Sequence, residues 1–174
     1  MRLPGRIFFW GGGERGKMRK VAVLVDYENM ILASVPAGQV IDFDSLMRSI
    51  RDEIGVVKVA MAFLPLGAFL SDQTIRNLDE VGIDCVACPR YDVAGTGKEK
   101  DKVDSRMIAL AKKLFDEHSD VTDIAIISND GDFTPLVTFF QHRGKTVTLF
   151  GLGEISGALK RVVDIVRIAP VKNS

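Results

Sequence analysis

The chain has 174 residues, 47% of them apolar, which is enough to bury one ordinary hydrophobic core. Lysine plus arginine total 23 and aspartate plus glutamate total 23, so the net charge provides no global attraction to nucleic acid. The cysteines are Cys85 and Cys88, too few for a disulfide-rich secreted scaffold, and we interpret both as structural. No apolar run approaches the ~20 residues of a membrane-spanning helix, so we expect a cytoplasmic protein with no membrane partner.

The first 17 residues begin with basic residues and contain a short apolar patch, IFFW. That patch is too short for a secretory signal, and no small-residue cleavage site follows it. We therefore expect residues 1–17 to be a flexible N-terminal extension and residues 18–170 to form one domain.

Short β-branched runs alternate with helix-like stretches through that domain. Runs without charged interruptions are typical of strands that are covered on both faces. The predicted strands are Lys20–Val25, Val56–Phe63, Ile83–Ala87, Ile124–Ile127 and Thr146–Phe150, with an edge strand at Asp164–Ile168. The predicted helices lie near 43–53, 69–80, 102–117, 135–142 and 155–160. This order predicts an α/β fold, a three-layer sandwich with a mainly parallel, Rossmann-like central sheet of five to six strands.

Local signals mark several element boundaries. Gly82 and Gly144 are placed to end the helices that precede two strands. Thr134 is expected to cap a helix with Pro135 at its first position. The segment Cys88–Asp101 is polar, contains glycine and lacks periodicity, so we predict a loop beside the active face.

Three aspartates follow buried strands. Asp26 ends the first predicted strand, and Asp130 and Asp132 follow the fourth. If these two strands are adjacent and parallel, their ends bring the three carboxylates to one rim of the sheet. Crowded carboxylates repel one another, and a hard cation such as Mg²⁺ or Mn²⁺ is the simplest neutralising partner.

Asp104 is the fourth candidate acid. It lies in the first turn of the predicted helix at 102–117, in line with the apolar positions Ile108, Ala111 and Phe115. A carboxylate on the inward side of a helix is unusual, and this one would lie near the rim that carries the other acids. Alternatively, Asp104 only complements the helix dipole.

Four other polar or small residues have open roles. Asn29 either caps a turn that begins at Met30 or takes part in catalysis. Ser128 either bonds its own backbone or donates to a phosphate oxygen. We expect Asn129 and Gly131 to supply the unusual φ values of the SNDGD turn.

These motifs together resemble the NYN domain family, a LabA-like branch of the PIN-like nucleases. The matching segments are VDYEN at Val25–Asn29, KVD at Lys102–Asp104, SNDGDF at Ser128–Phe133 and GKTVTLFG at Gly144–Gly151. Two positions differ from the family pattern. Asn129 stands where glycine is usual, and Leu110 stands about where many members have another aspartate.

The resemblance implies metal-dependent hydrolysis of RNA phosphodiester bonds in a PIN-like fold. Asp26, Asp104, Asp130 and Asp132 would then hold Mg²⁺ or Mn²⁺ and serve catalysis together with Asn29. The implied partner is RNA. The implied substrate-binding residues are Ser128, Arg90, Lys100 and Lys102.

Two alternatives stay open. Leu110 and the balanced charge favour an RNA-binding or regulatory module that turns over poorly. A metal-dependent phosphatase would use Asp26 as nucleophile with Glu28 as its second acid, but this leaves Asn29 and Asp104 without a role. The sequence also leaves a homodimer open.

Overall fold

The computed structural model describes residues 18–67, 70–92, 99–101 and 103–173. Strands and helices alternate along most of this chain. The strands are β1 Lys20–Asp26, β2 Gln39–Ile41, β3 Val56–Pro65, β4 Asp84–Cys88, β5 Arg90–Asp92, β6 Glu99–Asp101, β7 Asp123–Ile127, β8 Thr146–Gly151, β9 Ile165–Ile168 and β10 Val171–Asn173. The helices are α1 Tyr27–Ser34, α2 Phe43–Glu53, α3 Asp72–Asp79, α4 Val103–Glu117, α5 Thr134–Gln141 and α6 Gly157–Val162, and single 3₁₀ turns cover Val35–Ala37 and Gly131–Phe133.

Six strands form one central sheet in the order β4-β3-β1-β7-β8-β9, and every neighbouring pair is parallel. The first and fourth predicted strands, β1 and β7, are therefore adjacent, with Val21 opposite Asp123 and Val25 opposite Ile127. Two antiparallel ribbons, β2 with β10 and β5 with β6, lie outside this sheet.

Both faces of the sheet are covered, which explains the uninterrupted apolar runs. Alternate residues of β1 enter different cores: Ala22 and Leu24 pack with α4, α5 and α6, whereas Val21, Val23 and Val25 pack with α1, α2 and α3. Cys88, at the end of β4, is fully buried, as expected of a structural cysteine. The predicted α/β three-layer sandwich with a parallel sheet is confirmed.

The boundary signals were correct at two glycines and wrong at one cap. Gly82 and Gly144 have φ values of 80° and 71°, the left-handed geometry that ends a helix. Thr134 does not cap α5; it is the first residue of that helix, and Phe133 holds the cap position without a side-chain bond. The reason is that the 3₁₀ turn Gly131–Phe133 runs directly into α5, so no separate cap is needed.

The predicted loop at Cys88–Asp101 is partly an antiparallel ribbon, because Arg90 pairs with Asp101 and Asp92 with Glu99. Residues 93–98 lie outside the described chain, as do residues 1–17 of the predicted extension. The edge strand predicted at Asp164–Ile168 is present as β9.

Candidate metal centre

The acidic residues lie where the order of the strands reverses. From β1 the chain passes to β3 and β4 on one side and later to β7, β8 and β9 on the other. The carboxyl ends of β1 and β7 therefore border the crevice in which parallel α/β sheets bind ligands. Asp26 ends β1, and Asp130 lies three residues after the end of β7.

Three carboxylates converge at this crevice. Asp104, Asp130 and Asp132 each offer an oxygen, and these oxygens lie within 4.8 Å of one another. Asp104 and Asp130 are half-buried, whereas Asp132 is exposed. Three carboxylate oxygens are the donor chemistry that Mg²⁺ and Mn²⁺ prefer, so these residues fit a divalent cation.

A cleft of about 180 Å³ opens beside this group. It is lined by Asp26, Glu28, Asn29, Leu32, Val103, Asp104 and Asp130. Four of the five residues predicted to be catalytic thus line one cleft. The fifth, Asp132, lies next to it, because its carboxylate is within 4.8 Å of those of Asp104 and Asp130. Sequence reasoning gave Glu28 a role only in the phosphatase alternative and did not assign Leu32 to this site, although both lie on a helix that starts directly at the end of β1.

Helix amino ends surround the carboxylates. Asp104 is the second residue of α4, Asp132 lies in the turn that leads into α5, and Asp26 caps α1. The partial positive charge at a helix amino end favours nearby anions, so it offsets part of the repulsion among these groups. The dipole role considered for Asp104 is therefore compatible with its place in the cluster.

Ser128 connects Asp26 to the loop that carries Asp130. Its hydroxyl donates to Oδ2 of Asp26 at 3.1 Å and accepts from the backbone N–H of Asp130, also at 3.1 Å. Ser128 is 0% exposed. A substrate-binding role for Ser128 stays a prediction; in the structure its hydroxyl is directed to Asp26.

Asn29 and Asn129 hold the same loop from two sides. Oδ1 of Asn29 accepts from the backbone N–H of Asn129 at 2.9 Å. The Asn129 side chain bonds both backbone groups of Leu152, donating to its carbonyl at 2.7 Å and accepting from its N–H at 2.9 Å. The β1, β7 and β8 ends are thereby joined in one network of hydrogen bonds.

The prediction of unusual φ values at Asn129 and Gly131 is wrong. Among the described residues, no residue other than glycine has a positive φ, and Gly131 is not one of the glycines that do. Gly131 is needed for space instead, because a Cβ there would lie 2.6 Å from Oγ of Ser156. Asn129 serves through its side chain rather than through its backbone conformation.

Asp26 differs from the other acids because it is only 4% exposed. Burial raises the pKa of Asp26 to about 7, and the carboxylates of Asp104 and, less strongly, Asp130 act in the same direction. Hydrogen bonds from the Ser128 hydroxyl and from the Asn29 backbone N–H oppose this rise, because they stabilise the charged form. Asp26 is therefore more deeply buried than Asp104, Asp130 and Asp132, and its predicted part in holding a metal stays a prediction.

Other predicted residues have different positions. Leu110, where an acid would extend the cluster, packs against the core beneath α4, α5 and α6. The side chains of Arg90 and Lys100 and all of Lys102 lie outside the described part of the molecule, so their predicted contacts with substrate stay predictions.

Within the residues described, no helix has the length and apolar character needed to cross a bilayer. The expected absence of a membrane partner stays a prediction. A cytoplasmic location and a homodimer stay predictions.

Comparison with known proteins identifies the family. The pattern of the NYN domain matches residues 20–168. No curated protein matches the chain significantly. A crystal structure of a protein of unknown function from Vibrio parahaemolyticus superposes with a TM-score of 0.73 at 25% identity, over 88% of this chain and 94% of that one. A nicotinamidase from Staphylococcus aureus superposes with a TM-score of 0.40 at 13% identity, over 83% of this chain and 88% of that one, which is too distant to support an argument. The matched span covers all six strands of the central sheet, the helices around it and every acidic residue of the cleft, and the chain belongs to the NYN domain family of the PIN-like nuclease superfamily.

Proposed function

We propose that this protein hydrolyses RNA phosphodiester bonds with the help of Mg²⁺ or Mn²⁺. The observation that carries the proposal is the convergence of Asp104, Asp130 and Asp132 within 4.8 Å at the reversal point of a parallel sheet. The nuclease-like, RNA-related role of the family supports it.

Asp104, Asp130 and Asp132 would hold the cation, with Asp26 adding negative charge from below. A cation bound there supplies a water of lowered pKa and offsets charge on the scissile phosphate. The hydrogen bonds of Ser128 fix the distance between Asp26 and the Asp130 loop. Because such positioning is set before substrate arrives, little reorganisation is needed when charge develops.

Asn29 has a second role in this proposal. Its Oδ1 accepts from Asn129, while the same side chain lines the cleft. The amide nitrogen of Asn29 carries two N–H groups, which are suited to donate to a phosphate oxygen in the cleft. Arg90, Lys100 and Lys102 remain our proposed contacts to the sugar-phosphate backbone.

The alternative is an RNA-binding module with little turnover. Leu110 favours it, because an apolar residue stands about where the family pattern has another acid. The phosphatase hypothesis is weaker, because a nucleophilic aspartate must reach its substrate. Asp26 is 4% exposed and both of its oxygens accept hydrogen bonds.

The test compares Asp130→Asn with Asp52→Asn, which changes an exposed acid of α2. Each purified protein is incubated with single-stranded RNA in millimolar Mn²⁺ and in EDTA. We expect wild type and Asp52→Asn to cleave in Mn²⁺ only, and Asp130→Asn to lose at least about a hundredfold in rate (~2.7 kcal/mol of transition-state stabilisation). Equal cleavage by all three proteins would mean a contaminating nuclease, and retention of RNA without cleavage would select the binding module.

A further inference from the structure

Three cationic side chains gather over two phenylalanine rings at the carboxyl ends of α4 and α5. The guanidinium carbon of Arg143 lies 3.7 Å from the ring centre of Phe139, and Nζ of Lys112 lies 5.0 Å from the same centre. Nζ of Lys145 lies 4.7 Å from the ring centre of Phe115. The two rings meet edge to face with their centres 6.2 Å apart. We call these five residues the cation–aromatic surface.

Two of the three cations of this surface donate to backbone carbonyls. Arg143 donates to the carbonyl of Phe139 at 3.3 Å, and Lys145 donates to the carbonyl of Val121 at 2.6 Å. In the described part of the chain, no carboxylate lies within ion-pair distance of Lys112, Arg143 or Lys145. Asp116, one turn beyond Lys112, forms no such pair, whereas the adjacent Lys113 lies 3.8 Å from Glu117.

The surface and the acidic cleft occupy opposite ends of the same two helices. Asp104 lies in the first turn of α4, and Phe115 lies eleven positions further along it. At a rise of ~1.5 Å per residue, these positions are about 16 Å apart. The carboxylates of the cleft therefore lie at the amino end of α4, and the three cations lie near its carboxyl end, where Asp116 and Glu117 also stand.

The separation between the acidic cleft and the cation–aromatic surface matters for a polyanionic substrate. The cleft contains Asp26, Glu28, Asp104 and Asp130, which repel phosphates. Attraction over the length of an RNA strand must come from cations outside the cleft, since the phosphate backbone dominates the affinity of proteins for nucleic acid.

We infer that the cation–aromatic surface binds the backbone of single-stranded RNA at a distance from the bond that is cut. The inference rests on the proposed ribonuclease function and extends it to substrates long enough to reach both ends of α4. At the ~3.4 Å rise of a stacked strand, about five nucleotides span this distance. The flat guanidinium of Arg143, supported by Phe139, offers a plane on which a base stacks, and this favours RNA over an acidic polypeptide.

The test uses Lys112→Glu and its matched control Lys113→Glu, which make the same charge change at neighbouring positions of α4. Affinity for a labelled single-stranded RNA of about twelve nucleotides is measured by fluorescence anisotropy in EDTA, which prevents metal-dependent cleavage. At ~0.15 M salt, where screening acts over ~8 Å, the two positions are distinguishable. We expect Lys112→Glu to weaken binding at least about fivefold and Lys113→Glu less than about twofold.

Two further measurements, of RNA length and of salt dependence, complete the test. In Mn²⁺, Lys112→Glu should slow cleavage of the twelve-nucleotide RNA more than Lys113→Glu does. Both variants should cleave an RNA of about three nucleotides equally, because an RNA bound in the cleft at that length cannot also reach the surface. The dependence of affinity on salt should become shallower by a slope of ~0.7 for the neutral variant Lys112→Gln, which also replaces Lys112→Glu if that variant melts early.

Equal affinities of the Lys112 and Lys113 variants for the longer RNA would overturn the inference, even if wild type cleaves RNA. Displacement of the RNA by polyglutamate as readily as by unlabelled RNA would also overturn it, since the surface would then accept acidic polypeptides. RNA binding that depends on Lys112 without any cleavage would support the surface and refute the hydrolytic function.

Discussion

The hydroxyl of Ser128 donates to the carboxylate of Asp26 at 3.1 Å, across a separation of 102 positions in the chain. Both residues are buried, so this bond lies out of reach of solvent. It joins the central strand β1 to the loop that carries Asp130, and it stabilises the charged form of an acid that its surroundings push toward protonation.

Ser128→Ala should therefore destabilise the protein and impair the site. The variant leaves Asp26 with one hydrogen bond fewer and removes the acceptor of the Asp130 N–H, so we expect a loss of about 1–3 kcal/mol in free energy of unfolding near pH 8. Urea denaturation measures this loss in the free energy of unfolding. The control is Ser45→Ala, because Ser45 bonds Asp42 in a similar way at the surface start of α2. That control should lose stability without losing RNA cleavage. A Ser128→Ala protein as stable and active as wild type would contradict the role given to this hydroxyl.

The stability of the metal-free protein should depend on the protonation of Asp26. Because its pKa is about 7 when folded and 3.8 ordinarily, the folded state binds the proton more tightly than the unfolded state does. The stabilisation from this proton is present below pH ~4 and is lost as the pH rises through ~7, a change of up to about 4 kcal/mol. The measurement is the free energy of unfolding in EDTA from pH 4 to 8 for wild type and Asp26→Asn. The difference between them should fall as the pH rises, and a flat or rising difference would refute the buried-acid description.

Asp132→Asn should raise the melting temperature in EDTA. The exposed carboxylate of Asp132 lies within 4.8 Å of two others, so its removal relieves repulsion, by about 1–3 °C for a protein of this size. Millimolar Mn²⁺ should then stabilise wild type more than the variant, because the variant has lost a ligand. Differential scanning calorimetry with and without Mn²⁺ checks this. Asp52→Asn should respond to Mn²⁺ as wild type does, and equal Mn²⁺ shifts in all three proteins would place the cation elsewhere.

Gly131→Ala should be tolerated only when Ser156 is also shortened. The new Cβ would lie 2.6 Å from Oγ of Ser156 but 3.4 Å from its Cβ. We expect Gly131→Ala alone to cost about 1–3 kcal/mol by overpacking, and to cost much less in a Ser156→Ala background. A double-mutant cycle by chemical denaturation measures the coupling. Additive effects would show that Gly131 is required for some reason other than space.

Asn129→Gly, which restores the residue usual in the family, should also destabilise this protein. It removes both side-chain bonds to Leu152 and adds backbone freedom, for an expected loss of about 1–3 kcal/mol. Thermal melts in EDTA check this loss of stability. An unchanged melting temperature would mean that the bridge to β8 contributes nothing measurable.

The sheet and the position of the acids were accessible from sequence because their causes are local. Buried parallel strands require apolar runs, and the rule that ligands gather at the carboxyl ends of strands places Asp26 beside Asp130. Asp104 was identified by its place on the inward stripe of a helix, and the structure brings it to the same group.

The elements that were missed lack such local causes. In α1 the pattern of burial is inverted, because Ser34 is buried whereas Leu32 is 59% exposed. The ribbon of β5 and β6 is polar, and its pairing depends on backbone hydrogen bonds rather than on an apolar face. Neither feature gives an apolar periodicity that could be recognised.

The deeper burial of Asp26 relative to the other three aspartates also could not be predicted. Asp26 is buried because α1 starts at the next residue and the 128–132 loop closes over it through Ser128 and Asn129. These contacts join residues about 100 positions apart, and no spacing in the chain encodes them.

The placement of β1 in the middle of the sheet has a consequence for the newly made chain. Asp26 is synthesised early, yet its hydroxyl partner and two of the converging carboxylates arrive about a hundred residues later. A nascent or truncated polypeptide that stops before β7 therefore has no assembled acidic centre. The acidic group can therefore form only after the chain has been made as far as Asp132.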